Sequence, residues 1–129
     1  MHSAASQQAS LSTIGQIAIT VQDVQRATDF YRDTLGMQHL FSAGSMSFFD
    51  CDGIRLLLGL PEPGQQAFSS IIYFRVPDIA TAHDALVARG VQFVQTPHVA
   101  ARMQTHDLWL AFLHDSEGNT LGLMSEVKR

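Results

Sequence analysis

Apolar and polar residues alternate over residues 14–21. Ile17, Ile19 and Val21 fall on one face and Gln16, Ala18 and Thr20 on the other. A side-chain period of two predicts a half-buried strand. Asp23 then stands where a helix N-cap belongs. Val24, Ala27, Phe30, Tyr31 and Leu35 recur at helical spacing, and Gly36 can take the left-handed conformation that ends a helix. Residues 37–43, 46–50 and 54–60 read as three strands, with turns at Gly44-Ser45 and Cys51-Asp52-Gly53. The proline-containing stretch 61–69 suits neither a helix nor a central strand, and predicts a linker.

The same order then returns. Residues 70–76 predict a strand, and Asp78 caps a helix that runs through Arg89 with Ile79, Ala82 and Leu86 on its buried stripe. Gly90 ends that helix. A short strand over 91–95, a long loop over 96–107, a strand over 108–114, a turn over 115–119 and a last strand over 120–125 complete the pattern. The pattern is βαβββ, twice. The segment Val21-Gln22-Asp23-Val24-Gln25-Arg26-Ala27-Thr28-Asp29 matches Val76-Pro77-Asp78-Ile79-Ala80-Thr81-Ala82-His83-Asp84, and Asp52-Gly53-Ile54 is echoed by Glu117-Gly118-Asn119. A period of roughly 55–65 residues is too long for a solenoid unit and fits a duplicated supersecondary module. The expectation is an α+β fold: one domain over 14–126, built from modules 14–60 and 70–126 joined by linker 61–69. Residues 1–13 are expected to form a flexible tail. With helices on one side of each sheet, the open, curled mixed sheet leaves a cup-shaped pocket on the other side.

Composition narrows the function classes. The chain has 129 residues, 46% of them hydrophobic and 16% charged, which suits one domain with a substantial core. A net charge of -4 without a Lys/Arg cluster argues against a nucleic-acid partner. No apolar run is long enough to span a bilayer, so no membrane partner is expected. The Ser-, Ala- and Gln-rich start lacks the basic and apolar regions of a secretory signal. The single cysteine, Cys51, cannot form an internal disulfide, which fits a reducing, cytoplasmic setting.

Three motifs together resemble the vicinal oxygen chelate superfamily, which includes glyoxalase I, extradiol dioxygenases and bleomycin-binding proteins. They are Ile19-Thr20-Val21-Gln22-Asp23, Phe30-Tyr31-Arg32-Asp33-Thr34-Leu35-Gly36, and Phe112-Leu113-His114-Asp115-Ser116-Glu117-Gly118-Asn119. The resemblance covers residue 14 to about 126 and implies the glyoxalase-like fold and a homodimer. In metal-using members, four cup positions supply His or Gln, Glu, His and Glu. The resemblance puts these positions at Gln16, Leu57, Ile71 and Gly122. Gln is compatible with a metal; Leu, Ile and Gly offer no ligand atom on their side chains. The expected metal and cofactor content of the cup is therefore none, with a divalent metal as the alternative.

Strand alternation lists what lines the cup instead: Gln16, Arg55, Leu57, Ile71, Tyr73, Arg75 and Gly122. Residues 108–114 are apolar on both faces, and there it is the resemblance that implies Phe112 facing the cup and Trp109 facing outward. This is an apolar floor with a few polar groups, the usual construction of a small-molecule pocket. Arg55 and Arg75 stand on matching strands and are candidates to clamp an anionic group; the alternative is that each pairs with an acid at the rim. His98 and Arg102, on the expected loop, and His106, at its end, are candidates to close over the cup. Phe48, Phe49, Phe112 and Trp109 are candidates to stack on a flat ligand or to pack the core. The expectation is a protein that binds a small aromatic or anionic organic molecule. Alternatives are a metal-dependent lyase, isomerase or dioxygenase of the glyoxalase type, and a metal-free enzyme transferring protons through Tyr73, His106 or His114.

Overall fold

The computed structural model describes residues 11–61, 63–64 and 70–129. Most of the expected tail and linker lies outside these. Strands β1 (Gln16–Thr20), β2 (Gln38–Ala43), β3 (Met46–Cys51) and β4 (Ile54–Gly59) form one sheet in the order β1-β4-β3-β2. Strands β5 (Ile72–Arg75), β6 (Phe93–Arg102), β7 (His106–His114) and β8 (Thr120–Lys128) form the second in the order β5-β8-β7-β6. In each module the first strand runs parallel to the last and the remaining pairs are antiparallel. A parallel pair needs a crossover, and each module makes it with a helix: α1 (Val24–Asp29) and α2 (Ile79–Ala88). Asp23 and Asp78 cap these helices as expected, each accepting backbone N–H bonds from the first turn.

One residue distinguishes the two copies. Asp23 and Gly36 are thirteen positions apart, Asp78 and Gly90 twelve. The extra residue is absorbed by a π-helical turn, Phe30–Thr34, which continues α1. A single-residue insertion in a helix commonly takes this form, because one wider turn restores the register on either side.

The core lies where the helices meet the sheets, and both modules share it. Ile19, Val21, Ala27, Tyr31, Phe49, Leu56 and Leu58 come from the first module, and Ile79, Leu86, Val91, Ala111, Leu113, Leu121 and Leu123 from the second. The bonds that cross between modules are on this side as well. Tyr31 Oη donates to Asp115 Oδ2 at 2.7 Å, Asn119 Nδ2 to the Thr20 carbonyl at 3.0 Å, and Arg89 Nη1 to the Thr34 carbonyl at 3.0 Å. Glu117 Oε1 accepts from the backbone N–H groups of Gln22 and Asp23, at 3.0 and 2.9 Å, while Arg26 Nε donates to its Oε2 at 2.7 Å. Thus the start of α1 is fastened to the turn between β7 and β8.

Two expectations need correction. Residues 96–102 are not part of a loop: they continue β6, with His98 paired to Leu110, Val99 to Trp109 and Arg102 to Asp107. Pro97 and the missing alternation suggest a loop in the sequence. The strand tolerates them because it is the edge of its sheet and its register shifts at several points. The place of His83, just after Ala82 of the buried stripe, predicts a solvent-facing side chain; instead its ring packs on Phe93 at 4.4 Å between centroids.

Candidate functional site

The face of each sheet opposite the helices is built by alternation. In β8, Leu121, Leu123 and Ser125 are buried in the core, so Thr120, Gly122 and Met124 turn to the other face. Gly122 registers with Tyr73 on β5 and with Phe112 on β7, which aligns these residues across the sheet. The Tyr73 and Phe112 rings meet edge to face with centroids 5.8 Å apart. The Tyr73 ring also lies over Gly122. A Cβ placed there would come within 2.7 Å of Tyr73 Cδ2, so this contact requires glycine. Tyr73 remains 45% exposed, an aromatic surface open to a ligand.

On the first sheet, Gln16 registers with Arg55 and Ala18 with Leu57. Arg55 Nε donates to Gln16 Oε1 at 3.0 Å, and its guanidinium carbon lies 5.4 Å from the centroid of Phe48. Phe48 stacks on Phe41, with centroids 4.6 Å apart. This face therefore carries an aromatic pair, a cation held over one ring, and an amide.

The positions that the resemblance implies for a metal offer few donors. Gln16 spends its amide oxygen on Arg55. Leu57 is half-buried, Ile71 precedes β5 and is 45% exposed, and Gly122 lies under Tyr73. A divalent cation needs several N or O ligands in fixed geometry, and these residues do not fit one. Among the described residues, no three His, Cys, Asp or Glu side chains lie together so as to hold a metal ion.

The other candidates are dispersed. Arg75 takes the rim alternative: it pairs with Glu126, whose Oε2 is also 2.9 Å from His106 Nε2. Arg75, through its hydrogen bond and charge, holds the Glu126 carboxyl below its ordinary range. Arg55 lies on the fourth strand of its module and Arg75 on the first strand of its own, so the two do not stand on matching strands; they enter separate pairings, and no common anion clamp is seen among the described residues. His98 and Arg102 stand on β6; His98 Nδ1 is 2.9 Å from the Thr96 carbonyl, and Arg102 pairs with Asp107 at 3.1 Å. His114 is exposed at the end of β7. Phe49 is fully buried and Trp109 packs against the core, so neither is free to stack on a ligand. Burial and the flanking Asp50 and Asp52 push the Cys51 thiol up, away from the reactive thiolate. Glu126 escaped the sequence reading because β8 extends past the expected end at 125. The cation–π contact of Arg55 was legible only as the cross-strand proximity of β3 and β4.

A model of the Glyoxalase/Bleomycin resistance protein/Dioxygenase superfamily matches residues 13–123. No curated protein matches the chain. Several solved structures share its fold. A member of the same superfamily from Sphaerobacter thermophilus is 26% identical with a TM-score of 0.75, covering 90% of this chain and 98% of its own. A lactoylglutathione lyase from Agrobacterium tumefaciens is 19% identical with a TM-score of 0.74, covering 89% and 94% respectively. TnmS3, an antibiotic binding protein from Streptomyces sp. CB03234, is 22% identical with a TM-score of 0.73, covering 91% and 98%.

Proposed function

Because the chain belongs to the glyoxalase/bleomycin resistance protein/dioxygenase superfamily, we propose that it binds a small aromatic organic molecule on its cup faces without a metal ion. The observation that carries this reading is the Tyr73 ring lying over Gly122. The position from which a metal-using relative would project a carboxylate has no side chain here, and an aromatic ring takes the space. Leu57 and Ile71 at two further positions support the same reading. Flat ligands gain from ring stacking, edge contacts and apolar burial at such a surface.

Arg55 supplies the cation for an anionic substituent. Its guanidinium has five donors, of which Nε is used on Gln16, and its carbon lies 5.4 Å from the Phe48 ring centroid, leaving the remaining donors for an anionic group. Arg75 is less suited to that role, because Glu126 offsets its charge. A functional homodimer is part of the proposal. Phe41, Met46, Ile71 and Tyr73 are each 39–45% exposed, and a second copy would bury such apolar groups around a ligand. The antibiotic-binding relative with this fold makes sequestration a concrete form of the activity.

The test is direct. Metal is quantified in protein purified without chelator, and Ni²⁺, Zn²⁺, Mn²⁺ and Fe²⁺ are titrated by calorimetry. A thermal-shift screen of aromatic acids and antibiotics follows, with Arg55→Ala and Tyr73→Ala as controls. Expected are no stoichiometric metal and a ligand whose stabilisation falls in both variants. Metal binding tighter than about micromolar, roughly -8 kcal/mol, would overturn the metal-free reading. Ligand binding indifferent to both substitutions would overturn the cup as its site.

A further inference from the structure

The two modules are an internal control on one another. Residues 55 apart occupy matching places in the first strand and helix, and residues 65 apart do so in the last strand. Thus Ile19, Val21, Ala27, Phe30 and Tyr31 correspond to Phe74, Val76, Ala82, Ala85 and Leu86, while Leu58 corresponds to Leu123. Phe49, paired with Leu56, corresponds to Leu113, paired with Leu121.

In the first module this set is closed except at Phe30, which is half-buried. Ile19, Val21, Ala27, Tyr31, Phe49 and Leu58 are all 0–2% exposed. The Phe30 and Tyr31 rings stand 5.8 Å apart, and Tyr31 and Phe49 6.1 Å. In the second module the three aromatic residues become Ala85, Leu86 and Leu113, and Phe74, Val76 and Ala82 are left half-buried. The missing rings leave a space. A cavity of about 260 Å³ is lined by Leu35 and Met37 of the first module and by Phe74, Val76, Ala82, Ala85, Leu86, Arg89, Leu113 and Leu123 of the second. It is on the helix side of the sheet, away from the cup residues.

We infer that this cavity is a second ligand site, for a monocyclic aromatic molecule carrying an anionic group. Size, lining and charge each contribute. Apolar cavities of about 150 Å³ already accept benzene, so this one has room for a ring with a short substituent. Leu86, Leu113 and Leu123 form a buried floor, matching the apolar contacts that Tyr31 and Phe49 make in the first module. Arg89 is the one charged lining residue. One of its Nη atoms holds the Thr34 carbonyl, and among the described residues no carboxylate forms a salt bridge with it. The occupant thus takes the place of the rings that the second module lacks, with its anionic group at Arg89. A macromolecular partner would need a much larger contact than a space of this size provides.

The test follows the methyl resonances of Leu86, Leu113, Leu123 and Met37 during titration with 3-phenylpropionate and with toluene. Both probes are expected to shift these methyls. Nuclear Overhauser contacts from the probe ring to Leu113 and Leu123 are expected in the unmodified protein. Ala85→Phe, which copies the first module, should weaken both probes at least tenfold, while Arg89→Gln should weaken 3-phenylpropionate alone. Tyr73→Ala and Arg55→Ala should leave the shifts of these four residues' methyls with both probes unchanged, which separates this site from the cup. Shifts confined to the cup, binding that survives Ala85→Phe, or the absence of ring contacts to these leucines would each overturn the proposal. So would a change in association state on Ala85→Phe, which would mark the groove as covered by a second copy. The contacts in the unmodified protein decide the matter even if Ala85→Phe fails to fold.

Discussion

Glu117→Gln tests how the two modules are fastened. The Glu117 side chain is only 1% exposed, and its carboxylate takes two backbone N–H groups, Arg26 and the Ser116 hydroxyl. These contacts, led by the Arg26 hydrogen bond, hold its pKa at about 2, below the ordinary 4.5. The sign follows from which state binds the proton. Above about pH 4.5 both folded and unfolded chains carry the ionised group, and the full stabilisation is present. As pH falls, the unfolded chain protonates first, so the contribution declines and is largely lost when pH passes through about 2. A shift of this size corresponds to about 3 kcal/mol. Arg26 is 54% exposed and its part is screened, which brings the expected value to about 2–3 kcal/mol at pH 7. For a chain of this length that is a melting decrease of about 7–11 °C. The assay is urea unfolding of both proteins between pH 7 and pH 3. The difference between them should shrink by about 2 kcal/mol over the lower half of that range. A difference that stays constant with pH would refute the reasoning, because an uncharged Gln can reproduce neither the charge nor its titration.

Three further outcomes follow from particular contacts. Gly122→Ala should destabilise by about 1–2 kcal/mol, as its Cβ meets the Tyr73 ring, yet be neutral or stabilising in a Tyr73→Ala background. A double-mutant cycle by denaturant unfolding measures this coupling, and additivity would show that the ring does not lie over the glycine. Tyr31→Phe should cost about 1–3 kcal/mol, because it removes the Oη donor from the buried Asp115 carboxylate. Burial and the neighbouring Asp115 also raise the Tyr31 pKa, so no phenolate titration is expected in ultraviolet scans while the protein remains folded. Asp78→Ala should cost about 1 kcal/mol by thermal unfolding, through loss of the bonds from Ala80 and Thr81 N–H to its carboxylate.

Much of the fold was legible because local rules and tertiary structure agree. Asp23 and Asp78 cap their helices, and the alternation over β1 and β8 correctly separates core from cup face. The edge strand β6 was illegible beyond 95. Its shape comes from bulged pairing with β7, and neither Pro97 nor the irregular polarity carries a period that reports such pairing. The candidate site was legible in part. Period places Tyr73 and Gly122 on one face and the resemblance adds Phe112, but the rotamer that brings the ring over the glycine depends on packing. Glu126 and Arg75 meet across two strands and are far apart in sequence, so no spacing announces them.

The sequence by itself determined the duplication, the order of elements, the faces of the regular strands and the family. These rest on period, caps and glycines, which act over a few residues and repeat in both halves. Only the tertiary structure decided which arginine meets which acid, how Glu117 and Asp115 join the modules, and why one module is filled by rings while its counterpart keeps a cavity. Those outcomes depend on which side chains converge from distant segments, and on whether their volumes close the space between them.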